Sequence, residues 1–206
     1  MTASLPRLGR PVAADGDQTR VRVVEVARTA FSELGYAATT YRLLAERAKL
    51  APSALYNYFG SKADLYAAVH NEVQLETYTN WIIPAIEGTT TFSSRLAALL
   101  DSFVAMNAKA PEAALFQATA RVDTARYAEL SAVREGLPAE RQNLFADLVD
   151  LGISTGELQA EARATTLAML EALTLGLIEV SHDREAHSLA IEGFKRAIDA
   201  MLTNQR

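Results

Sequence analysis

The chain has 206 residues, half of them hydrophobic and 22% charged, with a formal net charge of −5 and no cysteine. The apolar share supports a sizeable core and excludes a disordered chain; zero Cys excludes disulfide staples, thiolate metal sites and a cysteine nucleophile. No run approaches the ~18 apolar residues of a membrane-spanning helix, and MTASLPRLGRPVAADGDQTR at the start has no apolar signal segment, so a cytoplasmic protein is expected.

Residues 1–18 hold Pro6, Gly9, Pro11 and Gly16 among small and polar residues and are expected to form a flexible basic arm. Val23, Ala27, Ala30, Phe31 and Leu34 then recur at helical spacing, with Gly35 as the stop. Thr39 or Thr40 can cap a helix over 41–48, and a short helix over 52–58 follows the interruption KLAP. Ser61 caps a longer helix expected to run to about Pro84. Further helices are expected over 91–108, 111–121, 125–134, 138–154, 160–182 and 185–203, with Pro111 and Pro138 in first turns. No stretch alternates long enough for a strand. The expected fold is all-α, about nine helices, with a small domain over 19–66 and a larger domain over 67–206.

Charge is uneven along this plan. Residues 1–70 carry nine Lys/Arg against six Asp/Glu, and residues 71–206 carry eleven against nineteen. A basic first third on an acidic remainder suits a protein that meets a polyanion at one end.

The segment TTYRLLAERAKLAPSALYNYFGSKADL, residues 39–65, has the spacing of a helix-turn-helix. Helix 41–48 and helix 52–58 flank a tight turn at Lys49–Leu50. Ala45 is small where the two helices cross, and Leu44 and Leu55 fasten the pair to helix 20–34. A helix enters the ~12 Å major groove only when a partner helix braces it from behind.

AFSELGYAATT, LLAERA and LYNYFGSKADL, read together over residues 20–66, resemble the TetR-type bacterial transcriptional regulators. Gly9-Arg10-Pro11 resembles the basic turn these proteins often carry. The remaining 67–206 are compatible with the family's divergent sensor domain. Two departures stand out: Lys49 occupies a turn position usually held by glycine, and Ala51 stands where a capping Ser or Thr is usual. Each costs on the order of 1 kcal/mol, and Pro52 at the first helical position offsets part of the second.

The resemblance implies a homodimer on a palindromic double-stranded DNA operator, released by a small apolar effector. Repression needs only binding and is the simpler expectation. Pro52, Ser53, Ala54, Asn57 and Tyr58 are expected to face the groove, with Asn57 bonding a base edge and Tyr56 reaching a phosphate. Thr40, Tyr41 and Arg42 start a helix whose N–H groups favour a phosphate. Lys49 and Lys62 are further candidate phosphate contacts. Arg7, Arg10, Arg20 and Arg22 are arm or first-helix cations, the first two within possible reach of a minor groove.

Helices 160–182 and 185–203 are apolar over so wide an arc that two sides must be covered. One side suits the chain's own core and the other a symmetry mate, through Leu170, Leu173, Leu177, Phe194, Ile198 and Met201. The expected effector pocket draws on Tyr78, Trp81, Phe103, Met106, Phe116, Phe145 and Met169. No cofactor, metal or catalytic residue is expected. Glu179-Val-Ser-His182 has the spacing of a di-iron ligand pair, but His70 and His187 supply no second pair, and His182 and His187 flank a turn where solvated residues are ordinary. A dimeric ligand-binding protein without DNA function is the other alternative, supported by Lys49 and Ala51.

Overall fold

The computed structural model describes the backbone of residues 12–131, 133 and 143–203, and their side chains except at 12–15 and 201–203. Among these residues the secondary structure is helical and no strand occurs, as the periodicity predicts. The chain divides into two compact units, Met1–Val69 and His70–Arg206.

In the first unit, α1 spans Val12–Ala38, α2 Tyr41–Ala48 and α3 Pro52–Tyr58, and α4 begins at Lys62 and runs to Thr77. The chain is already helical from Val12, where a flexible arm to residue 18 was expected; residues 1–11, with Arg7 and Arg10, lie outside the described residues. Gly35 breaks the helical path with φ 74°, a left-handed angle that suits a residue without Cβ. Beyond it Thr39, fully buried, donates to the carbonyls of Gly35 (2.8 Å) and Ala30 (3.2 Å) and closes this end of α1. Val23, Ala27 and Phe31 of α1 are buried with Leu44 of α2, Leu55 of α3 and Leu65 of α4. Leu34, expected on that face, is 43% exposed.

In the second unit, α4 passes into a π-helical turn, Tyr78–Ile82, and then α5, Ile83–Ile86. A continuous rod to about residue 83 was expected, so this is a correction. Pro84 has no N–H to continue an α ladder, and the N–H of Ile83 bonds the carbonyl of Tyr78, one residue wider than an α turn. Helix α6 is Phe92–Lys109 and α7 is Pro111–Arg126, five residues longer than expected. Extended backbone at Tyr127 ends α7 before the single turn Ala128–Leu130, so the expected helix 125–134 does not form as one piece over its described part. Helix α8 is Leu144–Ser154, α9 Arg163–Glu179 and α10 Arg184–Thr203, with short 3-10 turns at Ala160–Ala162 and Val180–His182. Residues 134–142, the start of the expected helix 138–154, lie outside the described residues.

The second core gathers Phe92, Leu96, Leu99, Leu148, Leu170 and Ile191. A Cβ on Gly152 would stand 2.7 Å from the Leu158 side chain and 3.0 Å from that of Phe92, so only glycine lets α8 approach this closely. Glu157 caps α6 from outside its own helix: it accepts from the N–H groups of Phe92 (2.6 Å) and Ser93 (3.1 Å) and from the Ser93 hydroxyl. Burial pushes the Glu157 carboxyl up, and these bonds with that from Thr155 outweigh it, holding the group below the ordinary carboxylate value.

An 18-residue stretch within Ala160–His182 has a mean hydropathy of 1.4, and the segment is long and apolar enough to cross a membrane by length and composition. Only 22% of that stretch is buried within the chain.

Candidate nucleic-acid interface

Helix α2 is held at both ends. The Thr40 hydroxyl accepts the Leu43 N–H (3.2 Å), and Lys49 closes the helix with its N–H shared between the Ala45 and Glu46 carbonyls. Lys49 adopts φ 55°, ψ 45°, the left-handed conformation for which the missing glycine would be suited. Ala51 caps α3 with extended backbone and no side-chain bond, and Pro52 occupies the first turn. Both departures noted in the sequence are therefore real features of the turn.

The brace behind α3 is aromatic. The Tyr41 hydroxyl donates to the Phe59 carbonyl (3.0 Å), tying the start of α2 to the end of α3. Its ring stacks on Tyr56 with centroids 4.4 Å apart and planes 17° apart. Burial, then the neighbouring Tyr56, Asp64 and Tyr36, push the Tyr41 phenol up to about 12, so it remains a donor. The Tyr41 side chain is thus committed to positioning α3. The Arg20 guanidinium lies 5.0 Å from the Phe59 ring centroid, and Arg47 pairs with Glu33 at 2.9 Å.

Pro52, Ser53, Tyr56 and Asn57 are exposed on α3, and Ala54 and Tyr58 are half-buried. Tyr56 is 56% exposed even with one face covered by Tyr41. Thr40, Arg42 and Lys49 are exposed at the two ends of α2. Lys62 is not among them. Its ammonium donates to the carbonyls of Tyr36 (2.8 Å) and Thr39 (3.1 Å) and lies 4.1 Å from the Tyr36 ring centroid. Tyr36 in turn packs edge-on against Tyr66. The expected phosphate role of Lys62 gives way to a structural one, because the turn between α1 and α2 leaves carbonyls that need a donor.

In the second unit a cavity of about 50 Å³ lies among α6, α7, α9 and α10. Phe103 and Met106 line it, with Ala114, Leu177 and Ile178. The other residues expected at a pocket do not line this cavity. Phe116 is fully buried beside His70, Tyr78, Phe145 and Met169 pack against the main core, and Trp81 lies half-buried in the π turn outside the lining. The polar lining, Asn107, Gln117, Thr174, Ser181 and His187, was missed. Asn107 follows Phe103 by one turn, and His187 begins the stripe Ile191, Phe194, Ile198, so each sits on an otherwise apolar face; that was the available signal. His187 was expected to be solvated and is 4% exposed.

The dimer residues are partly corrected too. Leu170, Leu177 and Ile198 are buried in the chain's own core, and Phe194 packs against it. Leu173 is half-buried, and the Met201 side chain lies outside the described residues. The faces left open are Ala168, Ala172, Leu175 and Gly176 on α9 and Leu189, Ala190, Gly193 and Ala197 on α10. Glu179 lies 3.8 Å from Arg121, and the His182 ring bonds the Glu179 carbonyl, so the suspected metal pair is engaged elsewhere. Among the described residues no group of three or more His, Asp or Glu could hold a metal ion.

Residues 23–69 match the family described as bacterial regulatory proteins, tetR family. The chain is 31% identical over 133 residues to the HTH-type transcriptional regulator HbdR of Aromatoleum, covering 64% of this chain and 51% of that protein. The chain thus spans about half the length of this relative. It is 29% identical over 153 residues to an uncharacterised HTH-type transcriptional regulator of Mycobacterium tuberculosis, covering 73% of this chain and 68% of that one. The crystal structure of a TetR transcription regulator from Haloarcula marismortui shares the fold, with a TM-score of 0.70 and 19% identity over 89% of this chain and 98% of that chain.

Proposed function

Because residues 23–69 match the family described as bacterial regulatory proteins, tetR family, we propose that the chain is a dimeric, sequence-specific DNA-binding repressor released by a small molecule. The observation that carries this reading is the face of α3. A seven-residue helix is propped from behind by Tyr41 and turns Ser53, Tyr56 and Asn57 outward. Short Ser53 lets the helix sit deep in a major groove, Asn57 offers a bidentate amide to adenine, and the Tyr56 hydroxyl suits a phosphate. Arg42 and Lys49 flank it with positive charge.

One such helix reads too few bases to be selective, and a two-fold dimer doubles the site. The open faces of α9 and α10 suit that role. Ala and Gly on them allow close helix approach, with Leu175 and Leu189 as the bulky contacts and Glu171, Glu192 and Arg196 exposed beside them. A partner covering them accounts for a helix so apolar yet so little buried.

The second unit is read as the sensor. The Gln117 amide donates to the Thr77 hydroxyl (3.0 Å), so a residue lining the cavity holds the last residue of α4, next to the π turn. Helix α4 starts at Lys62, which is bonded to the junction of α1 and α2. An effector that binds better with this end of α4 displaced lowers DNA affinity by linkage. Fluorescence anisotropy of the full chain with DNA flanking its own gene, against random duplex, tests the reading. A clear preference for one palindromic segment, lost when an effector is added, is expected; equal affinity for all duplexes sinks it.

A further inference from the structure

The polar groups of the cavity carry information about what enters it. Among the described residues, no hydrogen bond reaches the ring of His187, although the residue is 4% exposed and lines the cavity. The ring therefore meets the cavity without a protein partner, and a group that enters the cavity can supply one. Asn107, also 4% exposed, donates through Nδ2 to the Ser181 carbonyl at 2.9 Å. Only nitrogen can face a carbonyl, so the orientation is fixed, and Oδ1 remains an acceptor with no donor from the described residues. The lining contains no Lys, Arg, Asp or Glu. A buried carboxylate or ammonium ligand would therefore find no counter-charge there.

We propose that this cavity binds an uncharged, mainly apolar compound through a hydroxyl group, an alcohol or phenol, seated between His187 and Asn107. A hydroxyl is the group that satisfies both at once, accepting from one and donating to the other. Phe103, Met106, Leu177 and Ile178 cover the carbon skeleton. The cavity of about 50 Å³ admits only the hydroxyl end without rearrangement. A groove of about 360 Å³ shares Gln117 and Ile178 with the cavity, and Leu175 sets it beside the proposed dimer face. Met106 is an adaptable wall. The inference rests on the sensor reading of the second unit and adds the ligand's chemistry.

The test is calorimetric titration of the full chain with straight-chain alcohols and 4-alkylphenols, alongside the 4-alkylbenzoates and alkylbenzenes of matching length. At least one alcohol or phenol is expected to bind about tenfold or more tighter than its carboxylate and hydrocarbon counterparts. In His187→Leu that preference over the hydrocarbon should shrink to about twofold. As a check independent of the variant's folding, the His187 ring resonances of the unmodified chain should shift on adding that compound. Tighter binding of a carboxylate, an unchanged preference in a folded His187→Leu, or no binding by any hydroxyl compound overturns the proposal. Binding with the expected preference but without release of DNA leaves the ligand chemistry standing and overturns the sensor reading instead.

Discussion

The Lys62 ammonium lies 2.8 Å from the carbonyl oxygen of Tyr36, against the very ring of that residue, and clamps the turn that launches α2. Lys62→Ala removes two charge-assisted bonds at a half-buried site, a loss of about 1–3 kcal/mol. Urea unfolding should show the lowered midpoint. The salt dependence of DNA binding should keep its slope, since no phosphate contact is lost; a slope reduced by about one unit per half-site would return Lys62 to the DNA surface.

Asn57→Ala should act on recognition instead of stability. Asn57 is exposed, so unfolding should change by less than ~0.5 kcal/mol. The gap between operator and random duplex should narrow by about 1–3 kcal/mol per lost base contact. Equal losses on both duplexes would reduce Asn57 to a positioning role.

The turn between α2 and α3 carries two local faults that can be repaired. Ala51→Ser supplies the absent cap and should stabilise by about 0.5–1 kcal/mol, because the backbone at 51 is already extended. Lys49→Gly relieves the left-handed strain at φ 55°, with the gain reduced by the greater freedom of glycine in the unfolded chain. Thermal unfolding of both single variants and the double variant reads these effects. A drop in stability for Ala51→Ser would mean that α3 starts elsewhere.

Leu189 and Leu170 lie on neighbouring helices with opposite expected consequences. Leu189 is 62% exposed, and Leu189→Glu should yield a folded monomer in light scattering coupled to size-exclusion chromatography. Leu170 is 2% exposed in the chain's own core, and Leu170→Ala should cost about 2–5 kcal/mol. A Leu189→Glu protein that remains dimeric would exclude that face of α10 as the centre of the interface.

Two groups set the acid limits of stability. Burial lowers His187 below its ordinary 6.5, and none of its neighbours in the cavity lining titrates near neutral pH. The unfolded chain therefore takes up this proton first; stability is full above about 6.5 and declines as pH falls toward the folded value. Glu157 is held below its ordinary 4.5, so its contribution persists down to that pH and is lost as pH falls through the lowered value. Unfolding midpoints followed against pH should lose the upper decline in His187→Leu and the lower one in Glu157→Gln.

Much of the first unit was legible before any coordinates. Helices 41–48 and 52–58, the cap at Thr40, and the faults at Lys49 and Ala51 are local features, decided by spacing and by the chemistry of single residues. What failed there was the direction of long side chains. Lys62 looked like a phosphate contact from its position, yet it reaches back to the carbonyls at 36 and 39, and Tyr41 at the start of α2 turns its hydroxyl to the carbonyl at 59. In the second unit the helices were mostly found, but not their inner faces. Leu170 and Leu175 look equally apolar in the sequence, and only packing buries one and exposes the other.

The amino-acid order by itself determined the all-α class, the helix-turn-helix and the basic first third, because helical periodicity, capping and charge act within a few residues of one another. The tertiary structure alone decided which residues line the cavity and which sides of α9 and α10 stay open. His187 and Asn107 meet the same cavity from α10 and α6, helices distant in the chain. Burial of that kind is a property of assembled faces, and no local pattern carries it.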